Sequence, residues 1–217
     1  MMKNKLSIGA LLLFLGGFLP AQNATMDTSS VASSLKIAYN GSIIYPGFRL
    51  GVEHPVKQIS VTKYRRWGNL HHFSKTHALS AELGYYHHPD FQDNFYLLAG
   101  WQMRKQHPRG FFTEFSPAIG YSRTFLGGET YLVDNAGNIS ILKGAGYNYA
   151  MVALGGGCGY RFHPKTSAYF RASLLTMFPS NNLIYLRPTA ELGLIWKTRH
   201  FWKAKPKFIS ITKGNVS

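Results

Sequence analysis

In Tyr185-Leu186-Arg187-Pro188-Thr189-Ala190-Glu191-Leu192-Gly193-Leu194-Ile195-Trp196, character changes at nearly every step. One parity carries Leu186, Ala190, Leu192, Leu194 and Trp196, and the other carries Arg187, Thr189, Glu191 and Gly193. Successive side chains of a strand point to opposite sides, so a period of two restricts this segment to β-structure with two unlike faces. Comparable alternation predicts strands at about 32–40, 47–54, 76–87, 94–105, 111–123, 147–162, 167–178 and 185–197. The first is the least regular, since Ser33-Ser34-Leu35-Lys36-Ile37-Ala38-Tyr39 alternates loosely.

The connections differ in length. His107-Pro108-Arg109-Gly110 and His163-Pro164-Lys165-Thr166 are short, with Pro interrupting the ladder and Gly or a polar residue permitting the bend. The connection at 124–146 is long and contains two strand-like runs, from Tyr131 to Leu142, around Asp134-Asn135-Ala136-Gly137-Asn138, which predicts a hairpin. It either stands as a functional surface or extends the wall. The basic segment 55–75 is open between a long connection and an extension of the flanking strands, with Gln58-Ile59-Ser60-Val61-Thr62 pairing locally.

Glycine placement decides which face is enclosed. Gly51, Gly84, Gly100, Gly120, Gly155, Gly157, Gly159 and Gly193 share a face with the polar residues of their strands, whereas Gly156 lies on the apolar face. On a water-facing surface glycine weakens a strand without any packing return. Inside a narrow barrel, small residues must sit between large ones. The polar face therefore points inward, and the apolar face, with Leu79, Leu83, Tyr85, Phe95, Leu97, Trp101, Ala168, Phe170 and Leu174, points out. Arg49, Glu53, Glu82, Gln102, Arg104, Glu114, Arg171, Arg187 and Glu191 are expected in the lumen, four of the chain's nine acidic residues among them. Enclosed charges are tolerable only when paired and hydrogen-bonded, so these residues are expected to form an Arg–Glu network that plugs the interior. Pro117 and Pro188 conflict with a closed ladder and predict bulges or strand ends.

The N-terminus predicts export. Lys3 and Lys5 precede an apolar stretch from Ile8 to Leu19, and Ala21, or in the alternative Ala24, suits cleavage. The expected organisation is a signal peptide at 1–21, a barrel domain at 22–202 and a polar C-terminal tail at 203–217. The fold expected is all-β: a closed, antiparallel, up-and-down transmembrane β-barrel of eight strands. A formal charge of +15 raises nucleic acid as a partner. Export argues against it, and so does the gathering of Lys57, Lys63, Arg65, Arg66, Lys75 and the cations of 197–207 in connections and tail, where lipid phosphates are the nearer anions.

The segments Gly47-Phe48-Arg49-Leu50-Gly51-Val52-Glu53-His54-Pro55, Phe111 to Tyr121 and Ala190-Glu191-Leu192-Gly193-Leu194 resemble those of the small eight-stranded outer-membrane β-barrel proteins of Gram-negative bacteria. The resemblance implies an outer-membrane location, contact with outer-membrane lipids, and folding by the barrel assembly machinery. In that family the last strand ends in an aromatic residue; here Trp196, Phe201 and Trp202 are followed by further residues.

Barrels of this size include lipid A deacylases and acyltransferases, which makes His87, His88, Asp90 and Ser180 the residues to weigh for acyl chemistry. No His-x-Ser arrangement occurs in a strand, and no catalytic residue is assigned. Adjacent histidines at 71–72 and 87–88 point to opposite faces of a strand, so neither a metal nor a cofactor is expected. Cys158 stands alone on an apolar face. Tyr131, Leu132, Val133, Ile139 and Ile141 form the expected interaction loop, where a protein partner would meet an exposed strand pair. The expected role is a non-enzymatic one in structure, surface interaction or scaffolding. A lipid A-modifying enzyme is the second reading, and a narrow small-solute channel the third.

Overall fold

Strand-forming β-branched and aromatic residues in two-residue alternation produce eleven strands among the described residues. The computed structural model describes residues 32–42, 45–64, 70–89, 91–179, 184–198 and 207–213. In chain order the strands are β1 (Ser34–Gly41), β2 (Gly47–Tyr64), β3 (Leu70–His88), β4 (Gln92–Gln106), β5 (Phe111–Leu126), β6 (Tyr131–Val133), β7 (Ile139–Ile141), β8 (Gly146–His163), β9 (Thr166–Phe178), β10 (Tyr185–Lys197) and β11 (Lys207–Lys213). Eight of them follow one another around a ring, β1-β10-β9-β8-β5-β4-β3-β2, which the β1–β2 pairing closes. Every neighbouring pair within the ring is antiparallel.

The register keeps the two faces apart all round the ring. Ile37 lies opposite Leu194 on one side and Leu50 on the other, and all three are exposed on the outer wall. Lys36, Arg49, Glu53, Glu82, Glu114, Arg171 and Glu191 are buried. This is the reverse of a water-soluble domain, and a continuous apolar exterior with an ionic interior suits hydrocarbon surroundings. The signal peptide expected at 1–21 lies outside the described residues.

The strands differ from the sequence reading in three places and decide one that it left open. Residues 55–64 extend β2 and residues 70–75 extend β3: the two strands remain paired from Gly47↔Tyr86 to Tyr64↔Leu70, with a bulge between Pro55 and Lys57. Pro117 causes no bulge; the β4–β5 ladder lapses between Gly100↔Ala118 and Met103↔Phe115 and resumes in the same register. Pro188 causes none either, because β1 pairs with β10 only as far as Gly41↔Ala190 and ends short of it. Finally, part of the expected polar tail is ordered as β11, which lies parallel to β2 in the register Lys207↔Lys57 to Lys213↔Lys63. The reason is geometric. β1 begins at Ser34, opposite Glu53, so β2 runs on past its partner and leaves a row of backbone groups open. The segment Lys207-Phe208-Ile209-Ser210-Ile211-Thr212-Lys213 has the β-branched composition to fill it.

The hairpin in the long connection does not extend the wall. β6 and β7 pair only with each other, in a sheet separate from the ring. The base of the excursion is closed where Leu126 N donates to Ala145 O at 2.9 Å.

Candidate functional site

The lumen is layered along the barrel axis. At the end bearing the short turns, Ala38, Phe112, Tyr169 and Ile195 form an apolar floor. Above them lies the ionic layer. Lys36 Nζ is 3.0 Å from Glu53 Oε1 and 3.5 Å from Glu82 Oε1. Arg49 Nη1 is 3.1 Å from Glu82 Oε2 and 3.4 Å from Glu191 Oε2. Arg104 Nη2 bridges Glu53 Oε2 at 3.0 Å and Glu114 Oε2 at 2.9 Å, while Gln102 Nε2 donates to Glu114 at 2.6 Å. Arg171 pairs through Nε with Glu191, reaches Glu82 with Nη2 at 2.9 Å, and donates from Nη1 to Ser116 Oγ at 3.2 Å.

Four cations, Lys36, Arg49, Arg104 and Arg171, thus meet four carboxylates, Glu53, Glu82, Glu114 and Glu191. Desolvating them is costly, and the pairing offsets that cost only because the charges balance and most polar atoms find partners. Glycine makes the packing feasible. A Cβ at Gly155 would stand 2.7 Å from Ser116 Oγ, 2.8 Å from Ser173 Oγ and 3.1 Å from Arg171 Cδ. A Cβ at Gly84 would collide with the Tyr96 phenol, and one at Gly159 with the Phe112 ring. Gly156, on the outer face, meets nothing within 4 Å. Between Arg49, Glu82, Leu98 and Arg171 a cavity of about 10 Å³ remains, at the lower limit for one water.

A second apolar layer caps the ions. It comprises Tyr86, Tyr96, Leu98, Met151, Ala153, Leu175 and Met177. Tyr96 joins the two layers: its hydroxyl accepts from Arg49 Nε at 3.1 Å and from Asn40 Nδ2 at 2.5 Å.

Arg187 departs from the sequence reading. It faces inward, but it is level with this second apolar layer, opposite Leu175, and meets no glutamate among the described residues. Its guanidinium carbon instead lies 3.2 Å from the Tyr86 ring centre and 5.0 Å from that of Tyr45. The alternation of β10 fixes which way Arg187 points, but not that rings from β3 and from the β1–β2 connection separate it from Glu191. Conversely, Lys36 belongs to the network although the sequence reading omitted it. Its strand alternates loosely, and a lysine in such a pattern reads equally well as a snorkelling surface residue.

At the opposite end of the barrel from the short turns, Asp93 Oδ1 accepts from the Tyr85 hydroxyl at 2.6 Å and contacts His87 Nδ1 at 2.8 Å. His88 Nδ1 contacts Pro89 O, and Asp90 and Ser180 lie outside the described residues. Among the described residues no three His, Cys, Asp or Glu side chains gather as a metal site. Tyr131, Leu132, Val133, Ile139 and Ile141 are all exposed on the separate hairpin. Its turn is tied by Asp134, whose Oδ1 accepts from Ala136 N at 2.9 Å and Asn138 N at 2.8 Å, with Gly137 in the left-handed region at φ 84°.

No protein-family description and no curated protein matches this sequence. Among solved structures, the chain is similar to neisserial surface protein A, with 10% identity and a TM-score of 0.45 over 76% of this chain and 94% of that one. It is also similar to the N-terminal β-barrel domain of Pseudomonas aeruginosa OprF, with 14% identity and a TM-score of 0.42 over 77% of this chain and 97% of that domain. The strand order and the reversed polarity of the two faces define the class independently: an all-β, eight-stranded, antiparallel up-and-down barrel of the outer-membrane kind.

Proposed function

We propose that the protein is a non-enzymatic resident of the outer membrane, serving as a structural and scaffolding barrel that presents a surface hairpin. The observation that carries this reading is the central layer of the lumen: its four cations and four carboxylates balance one another and leave no solute-sized path between Arg49, Glu82 and Arg171. Barrels place short turns in the periplasm and longer loops outside. On that rule the turns at 107–110 and 163–165 face the periplasm, and β6–β7 faces outward.

Charge distribution supports lipid contact. Lys57, Lys75, Arg109 and Lys165 are exposed toward the short-turn end, whereas Asp93, Glu129 and Asp134 belong to the other. Cations at a bilayer surface attract lipid phosphates, and the aromatic residues Trp101, Phe111, Phe162 and Trp196 are exposed on the neighbouring wall. The apolar residues of β6 and β7 suit a protein partner that adds a strand or covers a small apolar patch.

Two measurements on the purified protein test the reading. Heat-modifiable gel migration and a detergent requirement are expected of the barrel, and full solubility without detergent would reject it. In planar bilayers the plugged lumen is expected to give no stable current steps; sizeable steps would support the narrow-channel reading instead. A lipid-modifying activity at the outer leaflet is the second reading, favoured by the His87–Asp93 pair at the outer rim. Mass spectrometry of lipid A from cells with and without the protein separates the two, since unchanged acyl chains would remove the enzyme.

A further inference from the structure

We infer that the outer mouth of the lumen binds a small anionic group, phosphate or carboxylate, with Arg187 as its anchor. The argument begins with charge balance. The four carboxylates of the lumen are already shared among Lys36, Arg49, Arg104 and Arg171, which makes Arg187 a fifth, uncompensated cation. Arg187 is 1% exposed, and among the described residues its Nε, Nη1 and Nη2 make no hydrogen bond of ordinary geometry.

The nearest carboxylate along its own strand face is Glu191, four residues on and therefore about 13 Å away at the rise of a β-strand. Thr189, opposite Ser173, intervenes on that face, and Glu191 is already paired with Arg171.

The rings of Tyr86 and Tyr45 offset part of the desolvation, because a ring face attracts a cation. The Tyr86 hydroxyl can take at most a small share of the guanidinium's five N–H donors, which leaves most of the fork unmatched. A carboxylate or phosphate oxygen pair matches that fork, and a charge-assisted bidentate contact is the strongest partner available to it. Leaving such a donor set buried and unmatched is the arrangement that folded proteins otherwise avoid. The site is also placed for entry. Arg187 is two residues from the outer end of β10, whereas the ionic network lies behind the apolar layer. Tyr45 and Tyr86 meet edge to face with centroids 5.8 Å apart, and Tyr149 packs against the same cluster, so the mouth is walled by phenols that add hydroxyl donors to the cation.

The inference is independent of which leaflet the mouth faces, so its failure leaves the barrel reading intact. The test uses the full chain in octyl glucoside, a detergent without phosphate, with ¹⁵N-labelled arginine. Inorganic phosphate and acetate are titrated against chloride at matched ionic strength, and phosphatidic acid in mixed micelles forms a second arm. One arginine Nε–Hε resonance is expected to shift saturably and to be lost in R187Q. R187K, which keeps the charge but loses the planar fork, is expected to bind roughly tenfold more weakly. Saturation by the soluble anions identifies a free ligand, and saturation by phosphatidic acid alone identifies a lipid headgroup. Should R187Q fail to fold, the wild-type unfolding temperature in phosphate against chloride gives an independent reading, with a rise expected. Absence of a saturable shift in both arms, or its persistence in folded R187Q, would overturn the inference.

Discussion

Arg171 on β9 and Glu82 on β3 stand four positions apart in either direction around the ring, yet Nη2 of one lies 2.9 Å from Oε2 of the other. The pair braces the barrel across its full width. Glu82 also holds Arg49 and Lys36, so its removal takes a carboxylate from three cations and leaves them to share Glu53 and Glu191. Glu82→Ala is expected to cost about 3–5 kcal/mol, as does breaking other buried pairs from one side. The double variant Glu82→Met/Arg171→Met is expected to be less damaging than the sum of the two single changes. Urea unfolding in detergent measures both, and additive single effects would mean that no brace exists.

Gly155 and Gly156 are neighbours with opposite surroundings, which makes them a matched pair. Gly155→Ala drives a methyl group against Ser116, Ser173 and Arg171 and is expected to destabilise by about 1–3 kcal/mol. Gly156→Ala points into open space on the outer wall and is expected to be neutral, or stabilising by about 0.4–1 kcal/mol through the unfolded chain. Equal effects at the two sites would reverse the assignment of inside and outside.

The hairpin is expected to be dispensable for folding. β6 and β7 share no ladder with the ring, and the Leu126–Ala145 hydrogen bond already closes their base. Replacing residues 129–142 with a short polar link should leave heat-modifiable migration intact and change stability by no more than about 0.5 kcal/mol. Loss of the folded band would show that the hairpin carries part of the barrel's stability.

Acid should loosen the hairpin turn late. The side-chain amide and backbone N–H of Asn138, with further backbone donors at Ala136 and Gly137, hold the Asp134 carboxyl below the ordinary carboxylate range. A depressed value in the folded turn contributes stability that is complete above the unfolded pKa, roughly 3.9, and disappears as the pH falls through the folded one. Amide shifts of Ala136 and Asn138, followed from neutral pH downward, should therefore change with a midpoint below that of an unstructured aspartate. A midpoint above it would contradict the hydrogen-bonding scheme.

The wall was legible in the sequence because each strand states its own two faces. Leu192 and Leu194 against Glu191 and Gly193 are sufficient for β10, and glycine on the ionic side tells which face is enclosed. Depth along the axis was not legible. Tyr86, Leu98, Met151 and Met177 come from β3, β4, β8 and β9, and only the ring's register brings them together above the ions. That is why Arg187 is separated from a network its strand pattern suggests it should join. The position of β11 was hidden for a similar reason. Its seven residues form an unremarkable run until the stagger of β1 against β2 leaves an edge for them.

A closed ring offers no place for another chain to add a strand, but the overhang of β2 past Glu53 restores one. β11 occupies that place over Lys57 to Lys63 and hands the open rim on to itself, with a lysine at each end. The edge that β2 leaves is thus filled from within the chain, and any further strand at this place would have to add to β11.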